Sequence, residues 1–385
     1  MTSRTALISG AGVAGPALAY WLARHGWSAT VIERAEGLRS SGNPVDVRGP
    51  ALPVVEDMGL VPRLRAAATH ARSMLVLDAD GRPGVRVGTP ASRSAAGTRE
   101  IELPRADLAA ILHDAAAAHA EFRFDDTITG LRQDARGVDV TFERGRPGRF
   151  DVVIGADGLH STVRRLAFGP EPAYLRHLGV HVATMPWRGA LEHPHDVVMY
   201  NLPGRLVSVH PCAGQAMAAF IFRHAAVPGL DHRDTDRHRR IVRDAYAGAG
   251  WIVPQLLAEA ARTTQLYFDG VSRVAMPTWS RGRIALLGDA ASCVSLFGDG
   301  SSLAIAGART LAGALAAEHG DPAAAFARYE REHRRLTRRK QVTMHAAAAM
   351  IVPRTRAGIA ARNLAARALL SPATRGPAGT ATGRR

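Results

Sequence analysis

Apolar and polar positions along the chain fall into two textures. Short, solidly apolar runs end at glycine: Ala6-Leu7-Ile8-Ser9 before Gly10, Phe150-Asp151-Val152-Val153-Ile154 before Gly155, and Arg283-Ile284-Ala285-Leu286-Leu287 before Gly288. Runs of this length bounded by turn residues predict buried strands. After the first of them, Leu18, Trp21 and Leu22 share one helical face and Gly26 stops the helix, and Ala29–Glu33 forms the next strand. A helix is expected from Ala106 to His119, and Val138–Phe142 alternates like a half-exposed strand. Between about 171 and 275 the texture changes to longer alternating runs, His181–Trp187, Leu206–Cys212 and Ala216–Phe222, which predict an antiparallel second sheet. Asp80-Gly81-Arg82-Pro83-Gly84 reads as a hairpin tip. Helices are expected from Leu303 to about 370, and the Pro-, Gly- and Arg-rich residues 371–385 form a frayed tail. There is no internal repeat.

At 385 residues the chain exceeds a usual single domain, so two interlocked lobes are expected. No run of 18 apolar residues occurs, so stable membrane insertion is not expected. Met1–Arg4 runs directly into the first strand and leaves no room for a signal peptide, which makes a cytoplasmic location the expectation. Cys212 and Cys293 are too few for a disulfide framework or a cysteine-rich metal site. His193 and His195, two apart on a turn, are a poor metal arrangement, and no metal is expected. The net charge of +15 comes almost wholly from scattered arginines. Its clusters, Arg237-His238-Arg239-Arg240 and Arg334-Arg335 to Lys340, lack interleaved aromatic residues and read as solvated helix faces. Nucleic acid is therefore not an expected partner.

The three glycine-terminated strands carry three motifs in fixed order. The first is Gly10-Ala11-Gly12-Val13-Ala14-Gly15, inside a strand–turn–helix–strand unit of about 30 residues. Gly10 permits the turn, Gly12 lets backbone approach a diphosphate, and Gly15 lets helix and strand pack. Helix-start N–H groups face the anion. Glu33, with Arg34 behind it, ends the second strand, where a carboxylate accepts the hydroxyls of an adenosine ribose and disfavours a 2′-phosphate. The bound nucleotide should be FAD or NAD. The second motif is Gly155-Ala156-Asp157-Gly158, with a helix beginning near Ser161. The third is Gly288-Asp289-Ala290-Ala291 with Gly298-Asp299-Gly300 behind it. There Asp289 can accept a hydrogen bond from a ribityl hydroxyl. The helix that follows, capped by Ser301 or Ser302, presents a positive end.

With these motifs in this order the chain resembles the class A FAD-dependent monooxygenases, the group of p-hydroxybenzoate hydroxylase, aromatic polyketide hydroxylases and tetracycline-inactivating monooxygenases. The resemblance covers residues 4–370 and extends to Asp46-Val47-Arg48-Gly49, Leu103–Leu108 and Trp279–Arg283. It implies an α/β (α+β overall) fold. A Rossmann-like FAD-binding lobe (1–70, 99–170 and 276–330) interleaves with an antiparallel-sheet substrate lobe (71–98 and 171–275), and C-terminal helices follow (331–370). It implies that Gly10, Gly12, Val13, Ala14, Gly15, Glu33 and Arg34 hold the ADP half of FAD. Arg105 is implied at the FAD ribose and phosphates, and Asp157 in both FAD and NAD(P)H binding. Asp289, Gly300 and Ser301 belong to the ribityl chain and flavin edge, and Asp46 and Arg48 lie near the ring. One departure is the loop Ser292–Gly300: the family usually has a proline there, and often one more residue.

The resemblance further implies reduction of FAD by NADPH or NADH, addition of O₂ to give a C4a-hydroperoxyflavin, and hydroxylation of an aromatic or polyketide-like small molecule. No protein nucleophile is needed, and no catalytic residue is fixed by the sequence. Substrate contacts are expected from the second sheet. Met185, His210, Phe220 and Phe222 are candidates, and each set can equally be sheet core. If His210 faces the flavin, it can orient or deprotonate a phenol. Alternatives are a non-oxygenating FAD oxidoreductase and a flavin-loaded protein that sequesters a ligand. A halogenase is disfavoured because its WxWxIP segment is absent. A monomer and a homodimer are equally compatible with the sequence.

Overall fold

The computed structural model describes residues 4–38, 44–69, 71–88, 100–212, 215–231, 233–293, 299–318 and 320–370. All three solidly apolar runs become adjacent strands of one six-stranded sheet. Its order is Ser280–Arg281, Ile284–Leu286, Val152–Gly155, Arg4–Ser9, Trp27–Ile32 and Ala120–Arg123. All neighbours are parallel except the first pair. Parallel strands buried on both faces read as continuous apolar sequence, and Ala6, Leu7, Ile8, Val152, Val153, Ile154, Ala285 and Leu286 are accordingly fully buried. Helices Ala14–Arg24 and Asp299–Ala317 pack on this sheet, which forms the larger core.

The alternating runs form a seven-stranded sheet in the order Tyr267–Val274, Leu175–Trp187, Ala216–Arg223, Arg205–His210, Asp196–Leu202, Ser73–Leu77 and Pro83–Gly88. Neighbours are antiparallel except Asp196–Leu202 with Ser73–Leu77. The Asp80–Gly84 turn does join two of its strands. Asp196–Leu202 and Tyr267–Val274 were not anticipated as strands. One face of the sheet lies under helices Thr235–Ala245 and Val253–Arg262 and carries a second core built on Phe220, Phe222, Tyr246 and Leu256. The opposite face meets helices Asp299–Ala317 and Pro322–Ile351, where Val180, Val182, Ile221 and Val271 pack against Leu303, Met344 and Ala348.

Two smaller strand groups complete the fold. Ile128–Gln133, Val138–Phe142 and Gly148–Phe150 make a three-stranded meander, and Pro44–Val47 pairs with Ile101–Pro104. Two long helices, Pro322–Ile351 and Arg356–Leu370, end the described chain. The expected tail at 371–385 lies outside the described residues.

Candidate functional site

The glycines show how the motifs converge. Gly10 has φ +106° and would place a Cβ 2.6 Å from the carbonyl oxygen of Ala156, so the first motif is packed directly on the second. Gly288, at φ +62°, would place one 3.2 Å from the Ala14 Cβ, so the third motif abuts the first. A Cβ on Gly15 would sit 1.9 Å from the Gly10 carbonyl, which excludes any side chain there. Gly12 faces open space. Helix Ala14–Arg24 starts after Val13 with no side-chain cap, so its first N–H groups point into that space. An uncapped helix start above a bare glycine is a built anion site, and it fits the diphosphate of FAD.

Glu33 closes the far side of the loop. Its carboxylate accepts the Ala11 N–H at 2.9 Å and the Ala35 N–H at 3.0 Å. The acid thus fixes the glycine loop to the end of the second strand, at the place a ribose would occupy. Arg34 is exposed beside it.

In the second motif, Asp157 takes the Val163 N–H at 3.1 Å, the Ser9 hydroxyl at 3.3 Å and the Ser161 hydroxyl. Ser161 is the helix cap expected there, accepting the Arg164 N–H at 2.9 Å. Burial raises the Asp157 pKa, and the hydrogen bonds it accepts oppose the shift. Both carboxylate oxygens therefore organise the turn. Arg164, 1 % exposed, is a further residue of this turn that sequence reasoning missed. It reaches from the second motif to the third, donating to the Ala290 carbonyl at 3.0 Å and back to the Leu159 carbonyl at 2.5 Å.

The third motif places Asp289 at the start of the short helix Asp289–Ser292. A Cβ on Gly300 would lie 3.6 Å from its Oδ1, which brings the long helix's start against the aspartate. That helix begins at Asp299, and neither serine caps it as expected. Ser302 instead donates to the Asp46 carbonyl at 2.8 Å and accepts the Arg48 N–H at 3.0 Å, and Ser301 is buried. The hydroxyl is spent on joining the helix to the Pro44–Val47 strand. Arg48 donates to Asp299 at 3.0 and 2.9 Å and lies 3.4 Å from Asp46. Lys340 reaches Asp299 from the next helix at 2.9 Å. Asp46 faces Glu102 across the two-stranded ribbon. Burial raises both pKa values, Asp46 relieved by Arg48 and Glu102 raised further by Asp46. Residues 294–298 of the departing loop lie outside the described residues.

Arg105, half-buried, begins helix Arg105–Ala117, and its positive charge reaches the Tyr267 phenol on the edge strand of the second sheet. The substrate candidates separate onto two faces. Met185, Phe220 and Phe222 are fully buried and pack under the two covering helices with Val242 and Tyr246. They are core residues and not pocket lining, which corrects the expectation for all three. The reason is register: Ile221 points to the flavin-lobe side, so its neighbours Phe220 and Phe222 must point away. Leu206 pairs with Ile221, so Ser208 and His210, two and four residues on, face the flavin-lobe side. His210 Nε2 lies 3.0 Å from the Ser208 hydroxyl, and Nδ1 is buried with no partner among the described residues. Burial pushes the His210 pKa down to about 4, so the ring is neutral at physiological pH. Cys212, beyond it, is held up at about 11 by burial and by Glu102 and Asp107.

Among the described residues no group of three His, Cys, Asp or Glu side chains is arranged to hold a metal, and both cysteines are free. No described helix is long and apolar enough to cross a membrane.

Residues 3–346 match the family described as FAD binding domain. The chain is 41% identical over 343 residues to an uncharacterised protein of Mycobacterium tuberculosis strain H37Rv, covering 88% of this chain and 92% of that one. It is 35% identical over 331 residues to a flavin-dependent monooxygenase of Legionella longbeachae, covering 84% and 83%. Among solved structures, tetracycline destructase Tet(51) superposes with a TM-score of 0.83 at 30% identity, over 96% of this chain and 97% of that one. The chain belongs to the FAD-dependent monooxygenase family, and its cofactor is FAD.

Proposed function

We propose that the protein uses NADPH or NADH and O₂ to hydroxylate an aromatic or polyketide-like small molecule held between the flavin lobe and the seven-stranded sheet. FAD held there would supply the redox chemistry, hydride acceptance from a nicotinamide and activation of oxygen. The chain's part is placement and exclusion of water. The uncapped start of helix Ala14–Arg24 over Gly12 and the carboxylate of Glu33 would hold the ADP half. Arg105 would contact ribose and phosphate, and Asp289 with the start of helix Asp299–Ala317 would hold the ribityl chain and the flavin edge. Asp157 would act mainly through the turn it organises.

The observation that carries the substrate side is His210. It is neutral, fixed through Ser208 on the flavin-lobe face, and keeps a buried Nδ1 without a partner among the described residues. A phenolic or enolic hydroxyl bonded to that nitrogen would satisfy it. Relatives named flavin-dependent monooxygenases and a structural neighbour named a tetracycline destructase support the monooxygenase part of the reading. Anaerobic titration of the flavin-loaded protein with NADPH and with NADH tests the reductant. Bleaching of the flavin absorption by either supports the reading, and a flavin that neither reduces contradicts it.

A further inference from the structure

A continuous polar path crosses from the flavin lobe to the second sheet, and no step assigned above uses it. His160 follows the Asp157-Gly158 turn. Its Nδ1 lies 3.0 Å from both carboxylate oxygens of Glu171, and its Nε2 lies 3.2 and 3.3 Å from those of Asp269. Asp269 sits on the edge strand Tyr267–Val274 of the seven-stranded sheet and is only 7 % exposed. Beyond Asp269, the Tyr267 hydroxyl donates to it at 3.2 Å, and that phenol feels the charge of Arg105. Beyond Glu171, Arg164 approaches at 3.4 Å and itself holds the Ala290 carbonyl beside Asp289. One end of the path therefore lies beside the third motif and the other on the edge strand of the second sheet.

We infer that His160 is a positioning residue that pins the seven-stranded sheet to the turn behind Asp157 and so sets the geometry in which FAD is held. This rests on the FAD site described above but not on the hydroxylation reading.

A neutral imidazole donates from one nitrogen only, whereas two carboxylates flank this ring. Only the imidazolium donates to both at once. Burial by itself would push the His160 pKa down, but Asp269 and Glu171 outweigh it and raise it to about 9. The groups around the ring are Glu171 with Arg164 behind it, and Asp269 with Tyr267 behind it. His181 also lies within reach of the Asp269 charge. Burial holds His181 down at about 4, with His177 and His224 adding to the shift, so it brings no competing cation at neutral pH. Because the folded pKa lies above the unfolded 6.5, the tie is fully present below pH 6.5 and is lost as pH rises through about 9.

The test is FAD affinity, read by flavin fluorescence from pH 6.5 to above 9, for the wild type, His160→Gln, Asp269→Asn and the double variant. Glutamine can donate to one carboxylate but cannot bridge two as a cation. We expect FAD to bind about tenfold more weakly to each single variant at neutral pH, with the double variant no worse than either single one. We also expect wild-type affinity to fall through pH 9 while His160→Gln stays level. A residue that only adds packing would lower thermal stability and leave His160→Gln with the same pH trend of FAD affinity as the wild type, and that result overturns the inference. So does additivity of the two substitutions. If His160→Gln does not fold, Asp269→Asn and the wild-type titration decide alone. These readouts need no substrate, so failure here is distinct from failure to hydroxylate.

Discussion

Glu33 and Ala11 are joined by a 2.9 Å hydrogen bond from the Ala11 N–H to the Glu33 carboxylate, across the mouth of the glycine loop. The same carboxylate holds Ala35. The acid expected to read a ribose is thus also a clasp that shapes the loop. Glu33→Ala removes both functions. We expect FAD affinity to fall by at least about tenfold, equivalent to about 1.4 kcal/mol. Glu33→Gln, which keeps an acceptor oxygen, should fall less. Equilibrium flavin fluorescence ranks the three.

The glycines of the first motif should separate by role. Gly15→Ala drives a Cβ to 1.9 Å from a backbone oxygen and should destabilise the fold itself. Gly12→Ala meets no protein atom within 4 Å, so its melting temperature without FAD should match the wild type while FAD binding is lost or severely weakened. Thermal unfolding with and without FAD distinguishes the two.

Phe220 and Phe222 provide the converse case. Both are fully buried beneath Tyr246 on the face away from the flavin lobe. Phe220→Ala should cost about 3–5 kcal/mol of stability and leave FAD affinity unchanged. His210→Ala should do the opposite, altering turnover with little loss of stability. Denaturant unfolding together with flavin titration checks both.

Buried neutral histidines set the acid limit. His181 and His333 are 1 % and 2 % exposed, and burial lowers each pKa to about 4. A depressed histidine stabilises the fold at pH above the unfolded 6.5, and that stability drains as pH falls toward 4. Each group should contribute a slope approaching about 1.4 kcal/mol per pH unit over that window. His333→Gln should flatten the fall of unfolding free energy between pH 6 and pH 4.

The parallel sheet and its three converging glycine turns were legible because buried strands ending in Gly-x-Gly, Asp-Gly or Gly-Asp leave a local signature, short and apolar, that long-range contacts do not blur. The second sheet was legible as a texture but not as faces. Alternation shows that Phe220 and Phe222 share a side, yet nothing local says which side carries helices, and that depends on Tyr246 and Leu256 arriving from later in the chain. Ser302 illustrates the same limit: the sequence predicts it as a helix cap, but the helix already begins at Asp299, and its hydroxyl bonds the distant Pro44–Val47 strand instead. His160, Arg164 and Asp269 were invisible as a group because 109 residues separate the first from the last.

Product mass after turnover under labelled oxygen tests the central claim most directly. The FAD-loaded protein would be given NADPH or NADH and a panel of polycyclic phenols and antibiotics. We expect one panel member to stimulate nicotinamide oxidation and to return a product carrying one labelled oxygen atom. Nicotinamide oxidation stimulated by a ligand that is changed but gains no labelled oxygen would contradict the account and place the protein among non-oxygenating flavin oxidoreductases.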